Sequence, residues 1–391
     1  MLSTLDYRDQ RIDKILGLCA RAEGHPILYQ HLEEEVRTFS NWSNLIHLAD
    51  RHGLGPLLYS HLKLVEVTIP MQDMRTLRGL YLRHRASNEI LGKSLCKLLE
   101  AFQEQGIASL VLKGAALSHT VYPQPALRPM RDLDILVREK DATHAQSVLL
   151  DLGFSMDYGV ETGFPSGHHH LPSANRLVDG LSISVEVHHD LFVPTDYCRS
   201  VQFEEIVSNE IAFQMDDFTA HTLGHEDMLW HIYRHAIGPH LLATPLRLIS
   251  IADFVSLVEK YIDEIDWERL QSCHPQLVNV LPMLHWITPW SDEVLKKLNL
   301  NPLNPTDFVW KDYQGWPRTR LHGRDLWSFL RDTFFPSEWW VRFCYGVGGK
   351  WPWIWYHYIR HPLHVIDGMT HHMVTGLKNW FSQFRQTYIT G

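Results

Sequence analysis

Asp132 and Asp134 stand two residues apart in Arg128-Pro-Met-Arg-Asp132-Leu-Asp134-Ile-Leu-Val137, directly ahead of an unbroken apolar run. Alternate residues of a strand point to the same face. The spacing therefore predicts that both carboxylates leave one face of a strand while Leu133 and Ile135 turn into the core. Carboxylates held that close raise each other's pKa values, and a divalent cation relieves the repulsion. Hard cations such as Mg²⁺ or Mn²⁺ take oxygen ligands and are commonly shared between one or two carboxylates and a substrate's phosphates. A lone Asp-x-Asp also occurs in solvated turns. The β-like run after it and the neighbouring Arg128 and Arg131 set this one apart.

Upstream, Ile107-Ala-Ser-Leu-Val-Leu-Lys113-Gly114-Ala-Ala-Leu117 reads as a buried strand, a glycine turn and a helix start. Glycine lets backbone N–H groups approach a phosphate, and a helix N-terminus favours negative charge. Lys113 adds a cation there. Downstream, Leu181-Ser-Ile-Ser-Val-Glu186-Val-His188-His189 alternates like a half-buried strand. Ile183, Val185 and Val187 are expected in the core, with Ser182, Ser184, Glu186 and His188 on the opposite face. Glu186 is either an ordinary solvent-facing strand residue or, beside the aspartate pair, a third metal ligand.

The order strand, glycine turn, helix, Asp-x-Asp strand, helix, acidic strand resembles the DNA polymerase β-type nucleotidyltransferase superfamily. More narrowly it is similar to the bacterial group described only as uncharacterised nucleotidyltransferases. The matching residues are Lys113-Gly114, Arg131-Asp132-Leu133-Asp134 and Val185-Glu186-Val187-His188, with flanking likeness in Leu48–Leu58 and His231–His235. The resemblance implies transfer of a nucleoside monophosphate from an NTP to an acceptor hydroxyl, with release of pyrophosphate. Asp132, Asp134 and Glu186 would hold Mg²⁺ or Mn²⁺, and Lys113, Gly114, Arg131 and Arg128 would meet the phosphates. His170, His188 and His231 are candidate contacts to the acceptor or the base. The superfamily pattern has Gly-Ser or Gly-Gly after the first strand, where this chain has Gly114-Ala115, so no hydroxyl is offered to phosphate at that point. Two other readings stay open: an inactive member that binds nucleotide or a partner, and a kinase-like phosphotransferase. The acceptor is a small molecule, a peptide or an RNA.

The implied fold class is α+β: a small mixed sheet with helices, flanked by helical regions on both sides. The expected division is a helical N-terminal domain over 1–105, the nucleotidyltransferase core over 106–220, and a helical C-terminal domain over 221–391 with a Trp-rich tail. Helical spacing recurs around 11–20, 41–50 and 75–104, the last closing at Gly106. Further helices are expected over 139–152, 225–237, 245–262 and 267–272, and a Gly/Pro loop over 158–175. That loop holds His168-His169-His170, which either face the site or simply make the loop polar.

Net charge is −9 over 391 residues, which argues against a broad basic face for duplex nucleic acid. Five scattered cysteines, none in Cys-x-x-Cys, fit a reducing cytoplasm and exclude a zinc ribbon. No apolar run is long enough for a transmembrane span, and the N-terminus lacks a signal peptide's character. His231 and His235 have zinc-binding spacing, but no His-Glu-x-x-His pattern accompanies them. A Gly-x-Ser-x-Gly elbow and a dinucleotide Gly-x-Gly-x-x-Gly are absent too. Nine of the fourteen tryptophans lie beyond residue 300. They read as a satellite core over the preceding helices, with a partner or membrane-surface contact as the alternative.

Overall fold

In the computed structural model the described residues are 10–156, 169–192, 200–237, 246–302, 326–367 and 369–370. Helices α1 (Gln10–Leu18), α2 (Pro26–Val36), α3 (Trp42–His52), α4 (Gly55–Leu62) and α5 (Met71–Glu104) precede the first strand. Gly53 ends α3 in the left-handed conformation, where a side chain would be strained. Pro70 fixes the start of α5 four residues earlier than leucine spacing suggests, because proline is tolerated ahead of the first turn but not inside it. Buried Leu77, Leu91, Leu95, Leu98, Leu99 and Phe102 line one side of α5, which packs on the sheet.

The sheet has seven strands in the order β3-β4-β5-β2-β1-β7-β6. They are β1 (Ser109–Val111), β2 (Asp132–Val137), β3 (Ser155–Met156), β4 (Ala174–Val178), β5 (Leu181–His188), β6 (Ile211–Met215) and β7 (Phe218–Thr222). β2 runs antiparallel to β1 and parallel to β5, and β1 meets β7 in parallel. The fold is thus α+β with one mixed sheet. Ile183, Val185 and Val187 are fully buried, as their alternation predicts, and so are Leu133 and Ile135. The other face of β2 is covered as well, since Leu136 is also fully buried. Asp134 consequently sits in the interior.

Helices α6 (Lys113–Thr120) and α7 (Glu139–Asp151) follow β1 and β2 and pack against the sheet, and α8 (Phe203–Ile206) precedes β6. Beyond β7, α9 (His225–Ile232) continues into a π-helical turn at Tyr233–Ile237 and touches α6. The apolar α10 (Leu248–Lys260) packs against α9. Most of the loop expected over 158–175, including His168, lies outside the described residues, as does the start of the helix expected at 245. The Trp-rich tail divides. Trp339 and Trp340, on the tail helix Glu338–Tyr345, are buried core, whereas Trp327 and Trp355 are exposed. No described helix is long and apolar enough to cross a membrane.

Two buried polar groups tie distant parts of the chain. Arg21, 2% exposed, pairs with Glu259 at 2.5 Å and donates to the Pro289 carbonyl. His61, also buried, donates from Nε2 to the Arg21 carbonyl at 2.8 Å and meets the Tyr29 hydroxyl at Nδ1. Burial holds the His61 imidazole neutral, with its pKa lowered to about 4. Its unfolded value is near 6.5, so below that pH the unfolded chain binds the proton more readily. Stability is therefore expected to fall as pH drops from about 6.5 towards 4, by about 3 kcal/mol from this group. His61→Gln keeps a donor without the titration. Urea midpoints of the two proteins at pH 7 and pH 5 check this, and equal pH slopes would refute it.

Candidate metal and phosphate site

β2 and β5 run in parallel register, with Asp132 opposite Ser184 and Asp134 opposite Glu186. His188 lies two residues beyond Glu186 and therefore on the same face. The register draws a carboxylate from each strand and an imidazole into one group. Ligand atoms of Asp134, Glu186 and His188 all lie within 4.8 Å of one another. His188 Nε2 stands 3.1 Å from Asp134 Oδ1 and 3.6 Å from Glu186 Oε2. Ser173, just ahead of β4, donates its hydroxyl to Glu186 Oε1 at 3.0 Å and fixes that carboxylate.

Lys113 begins α6 in the left-handed region, φ +47°, a strained placement for a residue with a side chain. That turn brings its ammonium 3.2 Å from Asp134 Oδ1. The Leu112 N–H donates to the Asp134 carbonyl at 2.9 Å, locking the turn to β2. Burial by itself would raise the Asp134 pKa, but Lys113 and His188 outweigh it and hold the carboxyl well below its ordinary value. Glu186 is lowered chiefly by the His188 hydrogen bond. Burial opposes the charge on His188, yet its bonds to Asp134 and Glu186 raise its pKa.

Asp132 keeps access to solvent at the first position of β2. Crowding by protein, then the charge of Asp134, raises its pKa. It is the outer member of the pair, and Asp134 the inner. Arg131 is exposed just before it. Arg247, the residue ahead of α10, was not anticipated from sequence. Burial, then the like charges of Arg131 and Arg128, lowers its pKa, while Asp132 supports its charge. Cations thus converge on the mouth of the site from two elements distant in sequence.

Arg128, expected at the phosphates, is held in an internal ion pair within electrostatic reach of Asp132. Its Nε and Nη2 donate to Asp253 at 2.9 Å and 2.6 Å, and Tyr122 donates to the same carboxylate at 2.7 Å. Arg128 is therefore committed to an internal ion pair that clamps α10 to the segment leading into β2. Gly114 serves this clamp. A Cβ at that position would lie 2.6 Å from Arg128 Nη1, and the guanidinium cannot retreat while Asp253 grips it. Asp253 is the one acidic residue inside the apolar stretch Leu248–Val258. A lone charge in such a run is the signal that could have revealed it.

The histidines gather around the inner end. His170 forms an isolated antiparallel bridge with His188, their rings 5.2 Å apart, and His169 lies 5.1 Å from His188. Burial, then His188, lowers the His169 pKa to about 3. His231 is 1% exposed, and neither ring nitrogen has a hydrogen-bond partner among the described residues. Burial, then Lys113, drives its pKa well below 6.5, with Asp134 close enough to oppose the shift. The polar lining of the inner site is thus imidazole-rich.

Carboxylates in register on two neighbouring parallel strands, with a lysine at a helix start and arginines near Asp132, mark the candidate site of an α+β protein. The model of the uncharacterised nucleotidyltransferase family matches residues 39–277, and the chain belongs to that family. The matched span runs from before α3 into the helix Pro275–Leu284, so it takes in the whole sheet, α5 and α10. No curated protein and no solved structure matches the chain significantly.

Proposed function

We propose that the protein transfers a nucleoside monophosphate from an NTP to an acceptor hydroxyl and releases pyrophosphate. The in-register pairing of Asp134 with Glu186, beside Asp132, is the observation that carries this reading. A divalent cation bound by these carboxylates, Mg²⁺ or Mn²⁺, would neutralise phosphate charge and acidify the acceptor hydroxyl. Lys113 supplies a fixed ammonium 3.2 Å from Asp134, where a phosphate oxygen shared with the cation would also be stabilised. Arg131 and Arg247 flank Asp132 and suit the outer phosphates. Asp132, with its access to solvent, suits the outer ligand position, where the cation meets the phosphates and the acceptor hydroxyl.

Membership of a nucleotidyltransferase family supports the reaction class. One observation favours a non-catalytic nucleotide binder instead. Ala115 is 3% exposed within α6, so the helix start presents no hydroxyl to a phosphate. The two readings separate by product. The protein is incubated with Mn²⁺ or Mg²⁺, each of the four NTPs labelled at the α- or γ-phosphate, and a panel of tRNA, peptides and hydroxylated small molecules. The expected result is labelled pyrophosphate with the α-label on one acceptor, and its loss in Asp132→Ala. NDP as the labelled product would point to a kinase, and nucleotide binding without either product would point to the inactive reading.

A further inference from the structure

We propose that His188 is itself a metal ligand, making the inner centre a mixed nitrogen–oxygen site that prefers Co²⁺ or Zn²⁺ to Mg²⁺. This rests on the preceding reading only in placing a cation at Asp134 and Glu186. Donor atoms bound 2.0–2.1 Å from a common ion lie roughly 3–4 Å from one another. The separations here are 3.1 Å from His188 Nε2 to Asp134 and 3.6 Å to Glu186. His188 Nε2 is therefore already spaced from each carboxylate as along an edge of one coordination polyhedron, and all three donors lie within 4.8 Å of one another.

The strand that carries the imidazole is held on both sides. His188 is fully buried, its backbone pairs with Leu136 of β2 on one side and bridges His170 on the other. Its Nδ1 has no hydrogen-bond partner among the described residues, so nothing there fixes the tautomer that would block Nε2. Ser173 restrains Glu186 by its other oxygen, leaving Oε2 toward His188. Imidazole is a good ligand for zinc and cobalt, whereas Mg²⁺ favours oxygen donors and keeps most of its water. The rival account is that His188 is only an imidazolium bridging two carboxylates, in which case removing it would not weaken cation binding.

The full chain, free of any affinity tag and of nucleotide, would be titrated with Co²⁺ and separately with Mg²⁺ by calorimetry, with Co²⁺ visible absorption followed in parallel. Co²⁺ is expected to bind one site at least about a hundredfold more tightly than Mg²⁺. His188→Gln should weaken Co²⁺ at least about tenfold, and change Mg²⁺ affinity by less than about threefold. Equal affinities in the unmodified protein, or a Co²⁺ affinity and spectrum untouched by the substitution, would overturn the proposal. Should His188→Gln fail to fold, the unmodified protein loaded with one equivalent of Mn²⁺ still decides the matter. Electron spin-echo modulation is expected to show imidazole nitrogen coupled to the ion, and absence of that coupling refutes it. Nucleotide transfer is not read in any of these measurements. A protein that passes them yet releases no pyrophosphate would sink the proposed reaction and leave this inference standing.

Discussion

Asp253→Ala is expected to destabilise the protein by about 3–5 kcal/mol, because it strands a buried arginine without its counter-charge. The Arg128 side chain is 14% exposed and that of Asp253 4%. Tyr122 loses its acceptor in the same stroke. The clamp also sets geometry. Arg128 lies four residues before Asp132, and its guanidinium packs against Gly114 at the start of α6. Loss of the clamp should therefore loosen both chain segments that carry the site. Denaturant unfolding followed by far-ultraviolet circular dichroism measures the loss. A change below about 1 kcal/mol would show that the pair contributes little. Replacing both partners with apolar residues of similar volume should recover much of the stability, since an empty pair costs less than half of one.

Asp134→Asn is expected to reduce nucleotidyl transfer by at least about a hundred- to thousandfold, the scale seen when a preorganised electrostatic group is removed from a reacting centre. The amide nearly matches the carboxylate in shape but abolishes the charge that Lys113 and His188 both answer. The nucleotide's own affinity should change by less than about tenfold, because Lys113, Arg131 and Arg247 remain. Steady-state transfer and equilibrium binding of a non-hydrolysable NTP give the two numbers. Transfer within about tenfold of the unmodified protein would remove Asp134 from the chemistry. The inner position of Asp134 and the outer position of Asp132 make the first substitution the more severe of the two.

Much of this site was legible in the chain. The alternation of β5 placed Ile183, Val185 and Val187 inside and put Glu186 and His188 on one face, because a strand's period of two leaves no other arrangement. The Asp-x-Asp pair and the Lys113-Gly114 turn announced themselves in the same way. The hairpin of β6 and β7 did not. Its turn is Asp216-Asp217, with Asp216 in the left-handed region, and it lacks the glycine that usually marks such a turn. Helices α2 and α4 are not set apart within a stretch that reads only as helical, since α2 begins at Pro26 and α4 has Pro56 in its first turn, between stronger leucine patterns.

Local periodicity thus determined which face each acidic residue takes, and composition determined that the chain is globular. Neither could set depth. That Asp134 is interior while Asp132 meets solvent depends on the elements packed over β2, α6 among them, and not on the alternation of the strand. Pairing across elements was equally invisible: nothing near Arg128 in sequence foretold that α10, 125 residues away, would bring Asp253 against it. Sequence spacing constrains neighbours along a strand, whereas the partner of a charge is chosen by which elements the core packs together. The sequence by itself named the acids of the candidate centre, and the tertiary structure set an imidazole and a strained lysine beside them.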